Sequence, residues 1–274
     1  MFVLETDTID WEPVKANHRT GEISRKFIRE SDLSDGIGYT SDLIWYHRGE
    51  TVFTAPRHRH DFDQIRLTLD GTTDYGYEQI AGPGEATFFP AGAYYGPERF
   101  EEAQIFLLQW SRNWVTRKQS DAAFAELATR GTFKDGFYVT TDEKGQEVRR
   151  DAANAVWEQV NQKPQVIPEP KYHTPIVMRP GAYEWCADQD GGEYKDLGHF
   201  TDGDLTVSSR RWSSGEPFTL GPERTSIVWI ASGSVRLDGR LLGARTLLYS
   251  DFGETHELLG DAAGEATVIG LPQP

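Results

Sequence analysis

His58-Arg59-His60-Asp61-Phe62-Asp63-Gln64-Ile65-Arg66-Leu67-Thr68-Leu69-Asp70-Gly71 combines a histidine pair with a regular alternation of apolar and polar residues. Ile65, Leu67 and Leu69 alternate with Gln64, Arg66 and Thr68, which predicts a strand with one apolar and one polar face. Side chains two apart on a strand point the same way, so His58 and His60 are expected on a common side, turned toward an interior.

The flanking sequence repeats this character. LIWYHR (43–48), TVFTAP (51–56), DYGYEQI (74–80), GEATFFP (84–90) and QIFLLQW (104–110) are short, aromatic or β-branched, and bounded by Gly, Pro or Asp. Turn signals about 8–12 residues apart fit a sandwich or barrel. Residues 1–40 read as an irregular or edge segment. Beyond 117 the pattern changes. Ser120 followed by DAAFAELATRG reads as an N-cap, an alanine-rich helix with Phe124, Leu127 and Ala128 on its apolar stripe, and a Gly stop. A second helix is expected from about Gln146 to Gln162. KPQVIPEPKYHTP (163–175) carries four prolines and reads as an extended linker. Strand patterns then return in LTVSSRRW, TSIVWIASG, SVRLDG, RTLLYS and EATVIGL. Strand–Gly–strand spacing in both halves gives a faint internal duplication.

Thirteen residues past Gly71 comes Gly84, followed by Pro90, Gly92 and then Tyr95. Together with His58, His60 and Gly71 this spacing resembles the two motifs of the cupin superfamily. The first motif is His-x-His, a Glu three or four residues later, then six residues to Gly. The second is Gly, five residues, Pro-x-Gly, two residues, then His. Gln64 stands at the Glu position, Tyr95 at the last His, and Val52 where a leading Gly is usual. The likeness covers residues 43–116 and extends over 200–272 only as strand and Gly pattern.

The resemblance implies an all-β dominated chain of two tandem cupin (jelly-roll) barrels. The expected units are an N-terminal barrel over 1–117 with the active site, a helical connector with a Pro-rich linker over 118–175, and a degenerate C-terminal barrel over 176–274. It also implies one divalent transition metal (Fe, Mn, Ni, Zn or Cu) held by His58, His60, Gln64 and Tyr95, since neutral imidazoles at about 2.0–2.1 Å suit such ions. In the family such sites serve dioxygenases, isomerases, epimerases, decarboxylases and lyases, or only bind ligand. The reading is therefore an enzyme acting on a small carboxylate or enol-type molecule by dioxygenase or lyase/isomerase chemistry. The alternatives are a metal-free ligand binder and a metal-free isomerase using His and Tyr.

Strand parity adds the rest of the pocket. Arg66 facing inward would clamp a substrate carboxylate or orient the reaction; facing outward it would make a surface salt bridge. Thr68, Tyr75 and Tyr77 join it as substrate-binding candidates, with Tyr75 and Tyr77 on one face. Tyr95 is a candidate general acid or base.

In the second half Leu220, Pro222 and Ser226 fall at the ligand positions and form no metal site, and His256 reads as structural. Asp61 and Asp63 read as solvated turn residues. Gly82-Pro83-Gly84 lacks the Lys of a phosphate loop, and no Gly-x-Ser-x-Gly occurs.

The formal net charge of −15 repels phosphate backbones and anionic membrane surfaces, so neither nucleic acid nor membrane is an expected partner. The single cysteine, Cys186, forms no internal disulfide and reads as a buried small hydrophobe. The acidic start MFVLETDTID does not resemble a signal peptide, and no apolar run reaches 18 residues, so a cytoplasmic protein is expected. Cupins often dimerise through strand exchange, so a homodimer is a further expectation.

Overall fold

The computed structural model describes residues 1–14, 20–31, 37–134, 137–189, 191–200 and 204–273. It is mostly antiparallel β-structure. In the N-terminal half the seven-stranded sheet runs Ile176–Met178, Ala86–Phe89, Asp63–Gly71, Ala103–Ser111, Gly38–Tyr46, Ile23–Ser31, Glu12–Val14. A four-stranded sheet (Phe53–Ala55, Glu98–Phe100, Thr73–Asp74, Ile80–Ala81) faces it. Phe53, Tyr75, Phe89, Tyr95, Phe100 and Ile105 fill the space between the two. The C-terminal half is a nine-stranded sheet system that includes Leu205–Trp212, Ser226–Leu237, Thr246–Ser250 and His256–Gly270.

Alternation along Asp63–Gly71 divides its side chains between two environments. Ile65 and Leu67 join Phe106, Leu108 and Trp110 in a large apolar core shared with Val207, Ile227, Trp229, Leu247 and Ile269 of the C-terminal half. Gln64, Arg66 and Thr68 are buried on the other face, within the N-terminal half. Burying the shared apolar surface joins the halves, at roughly 25 cal/mol per Å² removed from water.

Two strands cross between the halves. Phe2–Glu5 pairs with Thr246–Ser250, and Ile176–Met178 pairs with Ala86–Phe89. The 1–40 stretch, expected to be irregular, contains the nine-residue strand Ile23–Ser31 paired along Gly38–Tyr46. Its buried positions Ile23, Lys26 and Ile28 break strict alternation, and Ile23 and Ile28 pack into different cores, a pattern masked in the sequence by interleaved charge. The parts of that stretch at 15–19 and 32–36 lie outside the described residues.

Residues 117–161 form more than helices. Helix α1 (Arg117–Ala128) is capped by Thr116, not Ser120, because Thr116 and Gln119 make a reciprocal capping box. A three-stranded sheet follows (Thr132–Lys134, Phe137–Thr141, Glu147–Asp151), then helix α2 (Ala152–Asn161) capped by Asp151. The expected second helix thus begins at Ala152 and not at Gln146, since Glu147–Asp151 pairs with Phe137–Thr141. Leu127, Tyr138 and Ala155 make a small core of their own here. Cys186, expected to be buried, is exposed on the two-residue strand Cys186–Ala187, both of whose residues face solvent. Among the described residues no helix is long and apolar enough to cross a membrane.

Candidate functional site

Backbone pairing brings the two motif segments together. His58 and Tyr95 exchange N–H···O bonds of 3.0 Å each, Gly92 N–H donates to the His60 carbonyl at 2.8 Å, and Ala91 N–H donates to Asp63 Oδ1 at 2.8 Å. Asp63 is therefore a structural clip and not a solvated turn residue; its burial raises its pKa, and the Ala91 bond opposes that rise. Gly92 has φ +81°, and a Cβ there would stand 2.0 Å from the Pro168 carbonyl, so only glycine fits between this turn and the Pro-rich stretch.

The imidazoles of His58 and His60 lie edge to face with centroids 5.1 Å apart, and the Tyr95 ring is 4.3 Å from His58 and 6.1 Å from His60. His60 also stacks on Phe62 at 4.4 Å. His58 Nδ1 donates to the Pro56 carbonyl at 2.7 Å, which fixes the orientation of the ring.

Behind this pair sits a buried polar network. Gln64 Nε2 donates to Tyr95 Oη at 2.7 Å, Arg66 Nη2 donates to the same oxygen at 3.3 Å, and Gln109 Nε2 donates to Gln64 Oε1 at 3.3 Å. Arg66 Nη1 is ion-paired with Glu98, and both side chains are buried. The guanidinium stands 4.5 Å from the Phe89 ring centroid and 5.2 Å from that of Tyr75. Desolvation pulls the Arg66 pKa down, but the Glu98 carboxylate and the surrounding tyrosines outweigh it and hold the pKa well above its ordinary value. Burial likewise pushes the Tyr75 phenol up.

The remaining candidates fall in different places. Thr68 is buried and shares a 3.2 Å hydroxyl contact with Thr73. Tyr75 is wholly buried, whereas Tyr77 is 64% exposed. They do not share a face, because the strand ends at Asp74 and Tyr77 and Glu78 turn through positive φ. Arg66 is neither a surface salt bridge nor an open clamp, since Glu98 already neutralises it. Sequence reading missed Glu98; its alternation with buried Phe100 across exposed Arg99 was the available signal.

Tyr95 is buried among Phe89, Tyr75 and Phe100. A cavity of ≈ 450 Å³ is bounded by Arg59, His60, Asp61 and Phe62 on one side and by α1 and α2 on the other.

No family model and no curated protein matches this sequence. Solved structures do. A suspected dioxygenase from Nostoc punctiforme aligns over 99% of this chain and 82% of its own, with 12% identity and a TM-score of 0.65. The protein YlbA of E. coli aligns over 98% and 89%, with 11% identity and a TM-score of 0.56. The oxalate decarboxylase of Bacillus subtilis, an enzyme with Mn(II) centres, aligns over 99% and 76%, with 14% identity and a TM-score of 0.56. This is the cupin-type fold.

A cupin-type fold raises the question of whether the residues here would hold a metal. One feature suits it: the His58 and His60 rings stand close together, with centroids 5.1 Å apart. The donor set does not. Among the described residues no group of three or more His, Cys, Asp or Glu is gathered. Catalytic metal sites usually use three protein ligands. Gln64 bonds at both ends of its amide, and the Tyr95 oxygen is taken by Gln64 and Arg66. The two histidines fall one ligand short.

Proposed function

We propose that the N-terminal half is a small-molecule enzyme that works by proton transfer at His60, without a resident metal. One observation carries this reading. Of His58, His60, Gln64 and Tyr95, only His60 lines the cavity, while Gln64 and Tyr95 bond to one another behind it. An imidazole is the usual side chain for moving a proton near neutral pH. His60 would take a proton from a carbon next to a carbonyl and return it to the oxygen or to a neighbouring carbon. The step consumes no oxidant and needs no co-substrate, so the reaction class is isomerisation.

The other residues position that imidazole. Phe62 stacks on it, and His58 presents its ring to it. The Tyr95 ring backs both histidines and is fixed by Gln64 and by the charged Arg66–Glu98 pair. Tyr95 is 2% exposed and Arg66 is buried, so their effect on a ligand passes through the histidines.

The test starts from enols, phenols and carboxylic acids that raise Tm. Binders are incubated with the protein in D₂O, and ¹H NMR follows deuterium uptake. The proposal expects uptake by the wild type and a fall of about 10²-fold or more in His60→Gln. Turnover that starts only after a divalent metal is added would contradict it.

A further inference from the structure

The segment 117–161 does more than join two β-halves: it supplies one wall of the ≈ 450 Å³ cavity, a size ordinary for a small-molecule site. Phe62 and Trp114 meet edge to face at 5.6 Å on the β side. Phe124 and Phe133 stack at 4.1 Å on the other, where Val156 and Trp157 of α2 complete the wall. Phe124 belongs to the predicted apolar stripe of α1 yet is 48% exposed, as it packs beside this space and not into a core.

Two wall residues carry buried hydrogen-bonding atoms that no described residue engages: the indole nitrogen of Trp114, a donor, and Oε1 of Gln165, an acceptor. The charges at the mouth are one of each sign, Arg59 and Asp61. Inside the half, Arg66 is already neutralised by Glu98. The charged lining residues, Arg59 and Asp61, sum to zero, so the wall presents no net positive charge to an anion, and burying an unpaired carboxylate costs several kcal/mol.

We propose that this cavity binds a neutral, planar aromatic molecule carrying one hydroxyl or keto group, a phenol or enol type, with its ring between the two aromatic walls and its oxygen toward His60. This deepens the proton-transfer reading and rests on it only for the role of His60. The wall from α1 and α2 sets the selectivity for flat ligands.

Calorimetric titration with 2-naphthol and 2-naphthoate tests it. The wild type is expected to bind 2-naphthol saturably and 2-naphthoate roughly tenfold or more weakly. Trp157→Ala should weaken 2-naphthol by roughly tenfold, the scale of one lost aromatic contact. Ala153→Trp, at an exposed position on α2 that borders the cavity, should block binding by filling it without disturbing a core. No saturable 2-naphthol binding, equal binding of the anion, or full binding by Ala153→Trp would each overturn the proposal. His60→Gln separates the two readings. Retained 2-naphthol binding with no deuterium uptake by any wild-type ligand strikes the proton transfer alone. Uptake by another ligand while 2-naphthol fails to bind strikes the ligand class alone.

Discussion

The two halves enclose interiors of opposite chemistry. The C-terminal interior is Trp212, Phe218, Leu220, Val228, Ile230, Leu248 and Leu258. At the corresponding depth the N-terminal half buries Gln64, Arg66, Thr68 and Glu98 among its aromatics, and Asp42 near its edge. The expected ligand positions of the second half repeat the contrast: Leu220 lies in that apolar core, and His256 is tied to Glu254 at 2.9 Å. An apolar interior is stable and inert. A buried ionic network adds little net stability, because desolvation offsets Coulomb attraction, but it fixes side chains in one geometry. The N-terminal half therefore carries the candidate chemistry, and the C-terminal half supplies the apolar surface on which its sheet rests.

The largest effect expected from breaking this contrast is at Glu98. Glu98→Gln leaves Arg66 charged and buried without its counterion, and urea unfolding should record a loss of about 3–5 kcal/mol. The double change Arg66→Met with Glu98→Met removes both charges and should recover most of that loss. An equal loss in single and double variants would mean that the network is not electrostatic in character. Next comes the apolar side. Leu258→Ala, at a fully buried position, should cost about 3 kcal/mol through the cavity it leaves, with no dependence on pH.

Asp42 makes the stability of the N-terminal half depend on pH. Burial raises its pKa from 3.8 to about 6, against the pull of Arg25. The folded state then binds the proton more tightly than the unfolded chain, so this group favours folding below the unfolded value. That contribution is lost as pH rises from about 4 through 6. Asp42→Asn should remove this slope and leave the protein on the order of 1 kcal/mol more stable than wild type at pH 7. A wild-type stability that rises over the same window would contradict it. The smallest effect is Tyr95→Phe. It removes the oxygen that accepts from Gln64 and Arg66 and should cost about 1 kcal/mol by urea unfolding.

Much of the N-terminal half could be read from sequence because local rules agree there. Period-two alternation in 64–69 separates the core residues Ile65 and Leu67 from the inward polar set. The Pro90-Ala91-Gly92 turn is read from Gly92, which alone tolerates its backbone and the nearby Pro168 carbonyl. What escaped depends on long-range pairing. Glu98 looks like one of several acids in a surface loop until Arg66 is placed opposite it. Tyr77 follows the parity of Tyr75 on paper, but the strand has already ended. Val148 suits a helix stripe, yet Glu147–Asp151 finds a strand partner in Phe137–Thr141. The crossing strands Phe2–Glu5 and Ile176–Met178 carry no local sign of which half they complete. Nor does any spacing indicate that α1 and α2 wall a cavity with Phe62.

On the proposed reading, side chains alone organise the N-terminal interior, with proton transfer at His60. Elemental analysis of protein purified without chelator, beside the His58→Ala/His60→Ala double variant, tests this most directly. Substoichiometric metal in both proteins and no change in wild-type Tm on adding EDTA are expected. One metal ion per wild-type chain, absent from the double variant, would contradict it.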